Sequence, residues 1–369
     1  MKEKELKFLI SQGEGYNIEF KEKFSASIAK DICAFANSNG GRILLGVTDD
    51  GKIKGIKITN KLKSQICDLA RNFDPKFEVF LEEAGNVLIV NVPEGQNKPY
   101  AFSGKFYMRN GPNSQQLSRK EIREFFISEG LVHFDEKPNY DFDLRKDFNK
   151  RAYRTFLQLA KISELIDKKD LFENLCLLKE NKLKNAGVLL FCKKITKFFS
   201  HATITCITFQ GKERMKILDR KEFDADLYSN FRGALGYLRE KLNTEYIIRG
   251  AGPREEKLEL PEEALREALL NAIGHRNYFM RTSVFVEIYS DRVEITNPGG
   301  LVKGLSREDL GKKSLPRNNL LFGLLQRMNL VEKAGTGIRR MQEAMRNYKL
   351  EPPEIKAGRD WFTIVFKRP

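Results

Sequence analysis

The spacing of apolar positions changes along the first third of the chain, and these changes predict its helices and strands. Some stretches repeat apolar residues every three to four positions, as a helix with one buried face does, and others alternate or form short apolar runs typical of strands. The predicted helices cover 3–11, 25–37 and 61–72, and the predicted strands cover 17–23, 42–47, 53–58, 77–82, 87–92 and 105–109. Ser118 and Glu121 form a capping box that opens a further helix ending at Ser128.

The remaining two thirds of the chain mix the same two spacings. Helical spacing covers 148–161 and 225–242, whereas the apolar runs at 186–191 and 202–209 predict buried strands. Pro261 is typical of the first turn of a helix, which runs to Ile273. The predicted elements after it are a hairpin of 283–289 with 292–296, a turn at 297–300, helices at 318–328 and 337–346, and closing strands near Ile355 and at 361–366.

These elements predict an α+β fold with three domains. A mixed-sheet domain covers 1–130, an α/β middle domain, the most basic part, covers 131–255, and an α/β sandwich covers 256–369. The length agrees with two or three domains at roughly 150 residues each.

Charge and composition narrow the function classes. The 369 residues carry 65 Lys and Arg against 50 Asp and Glu, a net charge of +15, which favours polyanionic partners. A lysine-rich, solvated surface explains the same excess. No apolar run approaches the ~18 residues of a membrane span, and the charged start differs from a signal peptide, so we expect a cytoplasmic protein without membrane contact. Five scattered cysteines and three histidines argue against a disulfide framework and a zinc site.

Three carboxylates in the N-terminal part are candidate metal ligands. Glu14 and Glu19 lie at the start of a predicted strand and within it, and Asp49 lies at the turn after the next strand. If the two strands pair, these groups could converge on one edge and bind Mg²⁺ or Mn²⁺ for phosphodiester hydrolysis, with Lys21 holding a phosphate nearby. The same positions also suit a solvent-facing strand residue and an ordinary turn residue.

The turn after the second helix is a candidate nucleic-acid contact. Asn37, Gly40, Gly41 and Arg42 could present backbone N–H groups and one cation to a phosphate. Alternatively, the paired glycines only allow positive φ angles at the end of a helix.

A long stretch of this part resembles a known domain. EGYNIEFK, AFANSNGGRILLGVTDDGKIKG and KPYAFSGKFYMRNGPNS resemble the Schlafen AlbA-like domain over 5–130. The domain occurs in animal Schlafens and in prokaryotic transcriptional regulators, and the resemblance implies a small mixed sheet with a nucleic-acid-binding surface. Some Schlafens are metal-dependent RNases that cut transfer RNA with two glutamates and one aspartate. Their pattern maps onto Glu14, Glu19 and Asp49, although Asp50 is adjacent to the last.

Three short motifs near the C-terminus are candidate nucleotide-binding elements. Glu267 and Asn271 are four positions apart and share one helix face, where they could polarise water and bind Mg²⁺. Asn297 and Gly299 follow a strand, and Gly335 and Gly337 precede a helix whose first N–H groups could meet a phosphate. Each motif alone also suits a solvated helix face or a tight turn.

Together the three motifs resemble the GHKL ATPase fold. ALREALLNAIGHRNY, EIYSDRVEITNPGGL and LVEKAGTGIRRM resemble its divergent form, called RecG-related or "divergent AAA", which follows the AlbA-like domain in prokaryotic regulators. The resemblance implies ATP binding and a weak ATPase activity through Glu267. Two departures stand out: Asn297 replaces the aspartate that reads adenine, and Arg339 and Arg340 occupy glycine positions of the lid.

These observations favour a DNA- or RNA-binding regulator of transcription that responds to ATP and forms homo-oligomers. One alternative is a metal-dependent endoribonuclease that cleaves transfer RNA as a defence effector. Another is an assembly protein whose nucleotide pocket is vestigial.

Overall fold

The structure is a computed structural model that describes residues 3–247, 255–332 and 335–369. The chain divides into two compact units, Met1–Val132 and His133–Pro369, and each is described by itself. Both combine helices with mixed sheets, which confirms the predicted α+β class. No helix in the described ranges is both long and apolar enough to cross a lipid bilayer.

The first unit follows the predicted order of elements closely. Its helices are α1 (Glu3–Ser11), α2 (Ile28–Asn37), α3 (Asn60–Arg71) and α4 (Arg119–Ser128). Its strands are β1 (Ile18–Lys21), β2 (Gly41–Leu45), β3 (Phe73–Asp74), β4 (Phe80–Ala84), β5 (Val87–Val92), β6 (Ala101–Phe102), β7 (Lys105–Asn110) and β8 (Asn113–Gln116). The Ser118–Glu121 capping box opens α4 as predicted.

Two four-stranded sheets organise this unit. The first has the order β1-β2-β5-β4, with β1 parallel to β2 and the other pairs antiparallel, and the second has the order β3-β6-β7-β8. Helix α2 is buried along nearly its whole length, because Ile32 and Phe35 pack with Leu45 and Val90 in one core. The end of α2 and the start of β2 therefore occupy fixed positions beside both sheets.

The predicted return strand at 53–58 is wrong. Both edges of β2 are already paired, with β1 and β5, so no edge remains for a hairpin partner. The segment forms one isolated bridge, Val47 to Ile53, and the backbone N–H groups of Lys54 and Gly55 both donate to the carbonyl of Gly46 at 2.9 Å.

The second unit is built around a six-stranded sheet. Its helices are α5 (Lys150–Leu159), α6 (Lys168–Asn174), α7 (Asn185–Phe191), α8 (Leu227–Lys241), α9 (Glu262–His275), α10 (Asn319–Arg327) and α11 (Gly337–Asn347). Its strands are β9 (Leu178–Lys179), β10 (Lys182–Leu183), β11 (Ile204–Phe209), β12 (Ile217–Phe223), β13 (Thr244–Ile247), β14 (Glu255–Leu258), β15 (Val284–Ile288), β16 (Arg292–Pro298), β17 (Glu354–Ala357) and β18 (Trp361–Lys367).

The large sheet has the order β12-β11-β15-β16-β18-β17, in which β11 runs parallel to β15. One apolar core extends from Phe142 to Phe366 and includes residues of α8, α9 and α11. The predicted boundary between 255 and 256 falls within β14, beside residues 248–254, which lie outside the described ranges. Strands from both sides of that boundary share this sheet.

The predicted strand at 186–191 is a helix, α7. All seven residues of α7 are buried, so its sequence shows neither the helical nor the strand period of a half-exposed element. A short apolar run is compatible with both structures, and packing against α5, α8 and α10 decides for the helix.

Candidate functional site

Glu19 is held by two cations rather than open to a ligand. It lies in β1 with 7% of its surface exposed, and its Oε2 accepts a hydrogen bond from Arg109 Nη1 at 2.8 Å. Its Oε1 accepts one from Lys21 Nζ. The Arg109 side chain is itself almost completely buried, because it also donates to the Gly15 carbonyl and lies 4.5 Å from the centre of the Phe35 ring.

The other two predicted metal ligands, Glu14 and Asp49, differ from Glu19 in being exposed. Glu14 is exposed, and its Oε1 accepts the backbone N–H of Phe20 at 2.8 Å. Asp49 is exposed on the turn after β2. Across 3–247, 255–332 and 335–369, no group of three or more His, Cys, Asp or Glu side chains could hold a metal ion. With Glu19 neutralised by Arg109 and Lys21, these residues do not fit a Mg²⁺ or Mn²⁺ ion.

Asp31 is a buried carboxylate that the sequence reasoning missed. It lies on α2, is 1% exposed, and interacts with Ser114 and Lys21. Burial raises the pKa of Asp31, with the charge of Glu19 adding to the increase, and its Oδ2 has no hydrogen-bond partner. An aspartate within the apolar face of the predicted helix 25–37 is the signal that could have revealed it.

Asn37 positions the fold and has no polar group left for a phosphate. The residue is 3% exposed. Its Nδ2 donates to the carbonyls of Tyr100 and Tyr107 at 2.8 and 2.9 Å, and its Oδ1 accepts the backbone N–H of Tyr100 at 2.7 Å. The Asn37 side chain therefore links α2 to the second sheet through hydrogen bonds, and it does not make the nucleic-acid contact that the sequence predicted.

The glycine turn lies where backbone segments approach closely. Gly40 has a φ of +75°, and a Cβ there would lie 2.8 Å from the backbone N of Glu94. A Cβ at Gly41 would lie 2.3 Å from the Phe35 ring. The glycines are thus required by packing, and Arg42 next to them is exposed.

A surface groove runs beside this turn, and we call it the glycine-turn groove. Its lining includes Gly40, Gly41 and Arg42 together with Phe8 of α1 and Phe80 of β4. Phe8 and Phe80 are 65% and 62% exposed, so two aromatic rings meet solvent in one groove. The charged residues of its lining are Lys4, Arg42, Glu5 and Glu94. Lys21 lies outside its lining, at the Glu19 cluster.

The structure brings all six predicted C-terminal residues into one pocket. Two of them lie on α9, one lies at the end of β16, one lies in the following turn, and two lie at the start of α11. In chain order they are Glu267, Asn271, Asn297, Gly299, Gly335 and Gly337. Three motifs that are far apart in sequence therefore form one cavity wall.

Glycine at position 337 lets α11 begin directly against α9. A Cβ on Gly337 would lie 2.1 Å from Glu267 Oε1 and 3.2 Å from Asn271 Nδ2. Gly335 has a φ of +66°, and its Cβ would lie 3.1 Å from the backbone of Lys313. The first turn of α11 thus faces the glutamate–asparagine pair without an intervening side chain.

Charges within the pocket are balanced by an arginine. Glu267 is 5% exposed; its Oε2 accepts from Arg340 Nη2 at 3.1 Å and its Oε1 from Asn271 Nδ2 at 3.4 Å. Burial raises the pKa of Glu267, while Arg340 opposes that shift. Asn297 is 3% exposed, and its Nδ2 makes only a long contact, 3.4 Å, with the carbonyl of Pro298.

His275, at the end of α9, also lines the pocket but is neutral. Burial, together with the nearby charge of Arg317, lowers the pKa of His275 to about 4. Arg317 is fixed by hydrogen bonds from its Nε to the His275 carbonyl at 3.2 Å and from its Nη2 to the Gly300 carbonyl at 2.8 Å.

The pocket wall offers groups that suit the phosphates of a nucleoside triphosphate. The N-terminus of α11 offers backbone N–H groups, and Thr336 Oγ1 beside it is buried without a hydrogen-bond partner. The side-chain amides of Asn271 and Asn297 supply oxygen and nitrogen atoms at the wall.

Comparison with known proteins finds one matching family model in each of the two units of the chain. The family model described as "Schlafen, AlbA_2" matches residues 14–118. The family model described as "Putative ATP-dependent DNA helicase recG C-terminal" matches residues 282–366. The chain thus contains an AlbA_2 domain followed by a RecG-type C-terminal domain, the combination of a nucleic-acid-binding protein with an ATP-related domain.

A solved structure shows the same fold over nearly the whole chain. The crystal structure of the DIP2311 protein from Corynebacterium diphtheriae is 22% identical, with a TM-score of 0.54. The similarity covers 96% of this chain and 76% of that one. At this identity the likeness concerns the fold alone.

Proposed function

We propose that this protein, in which an AlbA_2 domain precedes a RecG-type C-terminal domain, is a nucleic-acid-binding regulator controlled by adenine nucleotide. The observation that carries the proposal is the convergence of Glu267, Asn271, Asn297 and Gly337 on one pocket. None of these residues is near the others in sequence except the α9 pair. A ligand that contacts each motif would explain why residues from separate parts of the chain line one pocket.

Each pocket residue has a chemical task in this proposal. The N–H groups at the start of α11 would bind the phosphates, and the side-chain oxygen of Asn271 would hold a Mg²⁺ ion, which would neutralise part of their charge. Asn297 contacts the base. Glu267 is the residue that would orient and activate a water molecule for hydrolysis. Because its carboxylate is ion-paired with Arg340, it is a weak general base, and we expect ATP hydrolysis to be slow. A slow ATPase suits a switch better than a motor.

Nucleic acid is assigned to the AlbA_2 domain, with the glycine-turn groove as its contact surface. Exposed Phe8 and Phe80 can stack with unpaired bases, and Arg42 can pair with a phosphate. Additional electrostatic attraction comes from His133–Pro369, since most of the chain's basic excess lies there.

The first experiment measures nucleotide binding. Isothermal titration of the full chain with ATP and Mg²⁺ should give saturable binding, and Asn271→Ala should weaken it strongly. Gln326→Ala, on α10 and outside the pocket lining, is the control. Saturable binding that Asn271→Ala leaves unchanged would assign the nucleotide elsewhere and refute the proposed pocket.

The second experiment tests regulation. Fluorescence anisotropy with duplex DNA, single-stranded RNA and transfer RNA should show affinity that falls with salt. ATP should change that affinity or the mass of the complex, and Asn271→Ala should abolish the change. Arg42→Gln should weaken binding, whereas Lys105→Gln, an exposed site outside the groove, should have a smaller effect. A flat salt response would reject nucleic acid as the partner.

A further inference from the structure

Arg340 connects two carboxylates of the pocket wall. It lies in the first turn of α11, where its Nη2 is 3.1 Å from Glu267 Oε2 and its Nη1 is 2.9 Å from Glu332 Oε1. Both glutamates line the pocket. The Arg340 side chain is 30% exposed, and its Nε is buried without a hydrogen-bond partner. The guanidinium group therefore lies at the border of the cavity with hydrogen-bonding capacity left.

Arg340 neutralises both carboxylates of the pocket lining. Among the described residues of its lining, the ionisable ones are Glu267, Glu332, Lys313 and His275. Lys313 forms an ion pair with Asp309 at 2.7 Å, and His275 is neutral because burial lowers its pKa to about 4. Without Arg340, neither carboxylate would keep an ion-pair partner among the described residues, and the guanidinium of Arg317 on the His275 side is directed to two backbone carbonyls. Arg340 is the cation that contacts both.

We propose that Arg340 determines the specificity of this pocket for nucleoside triphosphates. In the free protein it neutralises Glu267 and Glu332. When a nucleotide binds, the guanidinium exchanges its contact with Glu332, at the more exposed end, for the terminal phosphate. The planar group can bind a phosphate oxygen pair and Glu267 together, because it carries five N–H donors. This inference rests on the proposed function, since it assumes that the pocket binds adenine nucleotide.

The expected signature is a loss that grows with phosphate charge. Binding of adenosine, ADP and ATP, the last two with Mg²⁺, is measured on the full chain. Arg340→Gln should weaken ATP binding about tenfold, weaken ADP binding less, and leave adenosine unchanged. Arg340→Lys should keep part of the preference, because lysine retains the charge without the fork. Glu332→Gln should strengthen ATP binding, because it removes a competing carboxylate.

Controls separate this role from a structural one. Arg346→Gln removes the same charge from an exposed position of α11 and should change none of the three affinities. Thermal melting checks that each variant is folded. An Arg340→Gln variant that loses all three ligands equally would make Arg340 a structural residue, and one that keeps the wild-type ratio of ATP to ADP affinity would also overturn the inference. A wild-type chain that binds adenosine but prefers no phosphate refutes the inference alone, whereas one that binds none of the three refutes the proposed function too.

Discussion

Arg109 donates a hydrogen bond to Glu19 at 2.8 Å, although 90 positions separate the two residues in the chain. The pair joins β7 of one small sheet to β1 of the other. Glu19 is the carboxylate that a metal-dependent RNase of this type would need, and here its charge is already matched by Arg109 and Lys21. The pair therefore has two consequences, one for stability and one for activity.

Removing Arg109 should destabilise the first unit. Arg109→Met leaves the Glu19 carboxylate buried without its main partner, which costs about 3 kcal/mol in the free energy of unfolding. The double variant Arg109→Met/Glu19→Gln should recover part of that loss, because the unpaired charge is gone. Urea denaturation followed by circular dichroism measures both. Equal stability of wild type and Arg109→Met would show that the pair contributes nothing.

The same pair predicts that Glu19 supports no metal-dependent cleavage. Wild type and Glu19→Ala should leave transfer RNA equally intact during incubation with Mn²⁺, because Glu19 is ion-paired with Arg109 and Lys21 and the described residues contain no group of three or more His, Cys, Asp or Glu side chains that could hold the ion. Mn²⁺ should likewise leave the melting temperature unchanged. Gel analysis that shows cleavage by wild type and none by Glu19→Ala would restore the endoribonuclease hypothesis.

Two glycines offer a matched test of the nucleotide pocket. Gly337→Ala places a Cβ 2.1 Å from Glu267 Oε1, so either the Glu267 carboxylate leaves its position between Arg340 and Asn271 or α11 shifts, and ATP binding should fall about tenfold. Gly323→Ala, in α10, meets no atom within 4 Å and should stabilise the protein by about 0.5 to 1 kcal/mol. Titration calorimetry and thermal melting compare the two variants. Normal ATP binding by Gly337→Ala would show that ATP binding does not depend on the positions of Glu267 and the first turn of α11.

The sequence predicted the convergence of the C-terminal motifs better than that of the acidic residues, for a physical reason. The prediction of the pocket residues used local features, such as two residues one helical turn apart and glycines before a helix. Each of these features can be recognised from neighbouring residues alone. All six predicted residues line the pocket. The identity of Glu19's partner depends on a contact across 90 positions, which no local pattern contains.

Buried surroundings explain the remaining differences. Residues of α7 are buried on every side, so their apolar run carried no period and was predicted as a strand. Asn37 has the polar side chain of a ligand-binding residue, but tertiary packing directs its amide to Tyr100 and Tyr107. The segment after Val47 has strand-like alternation, yet both edges of β2 are occupied. In each of these three cases, contacts with residues distant in sequence determine the local structure.

His275 should make stability depend on pH between about 4 and 6.5. Burial beside Arg317 lowers the pKa of His275 to about 4, so between these pH values the unfolded chain binds a proton that the folded protein excludes. Stability from this residue is therefore complete near neutral pH and is lost as the pH falls from 6.5 towards 4. Since the ring is partly exposed to the pocket, we expect a loss of about 2 kcal/mol.

A comparison of histidine variants isolates this contribution from the carboxylates that titrate in the same range. His275→Phe keeps a ring beside Phe322, whose centre is 5.5 Å away, but cannot bind a proton. Its unfolding free energy should fall less than that of wild type between pH 7 and pH 4, by about 2 kcal/mol. His201→Gln, at an exposed position, should follow the wild-type curve. Parallel curves for wild type and His275→Phe would mean that His275 is as readily protonated in the folded protein as in the unfolded chain.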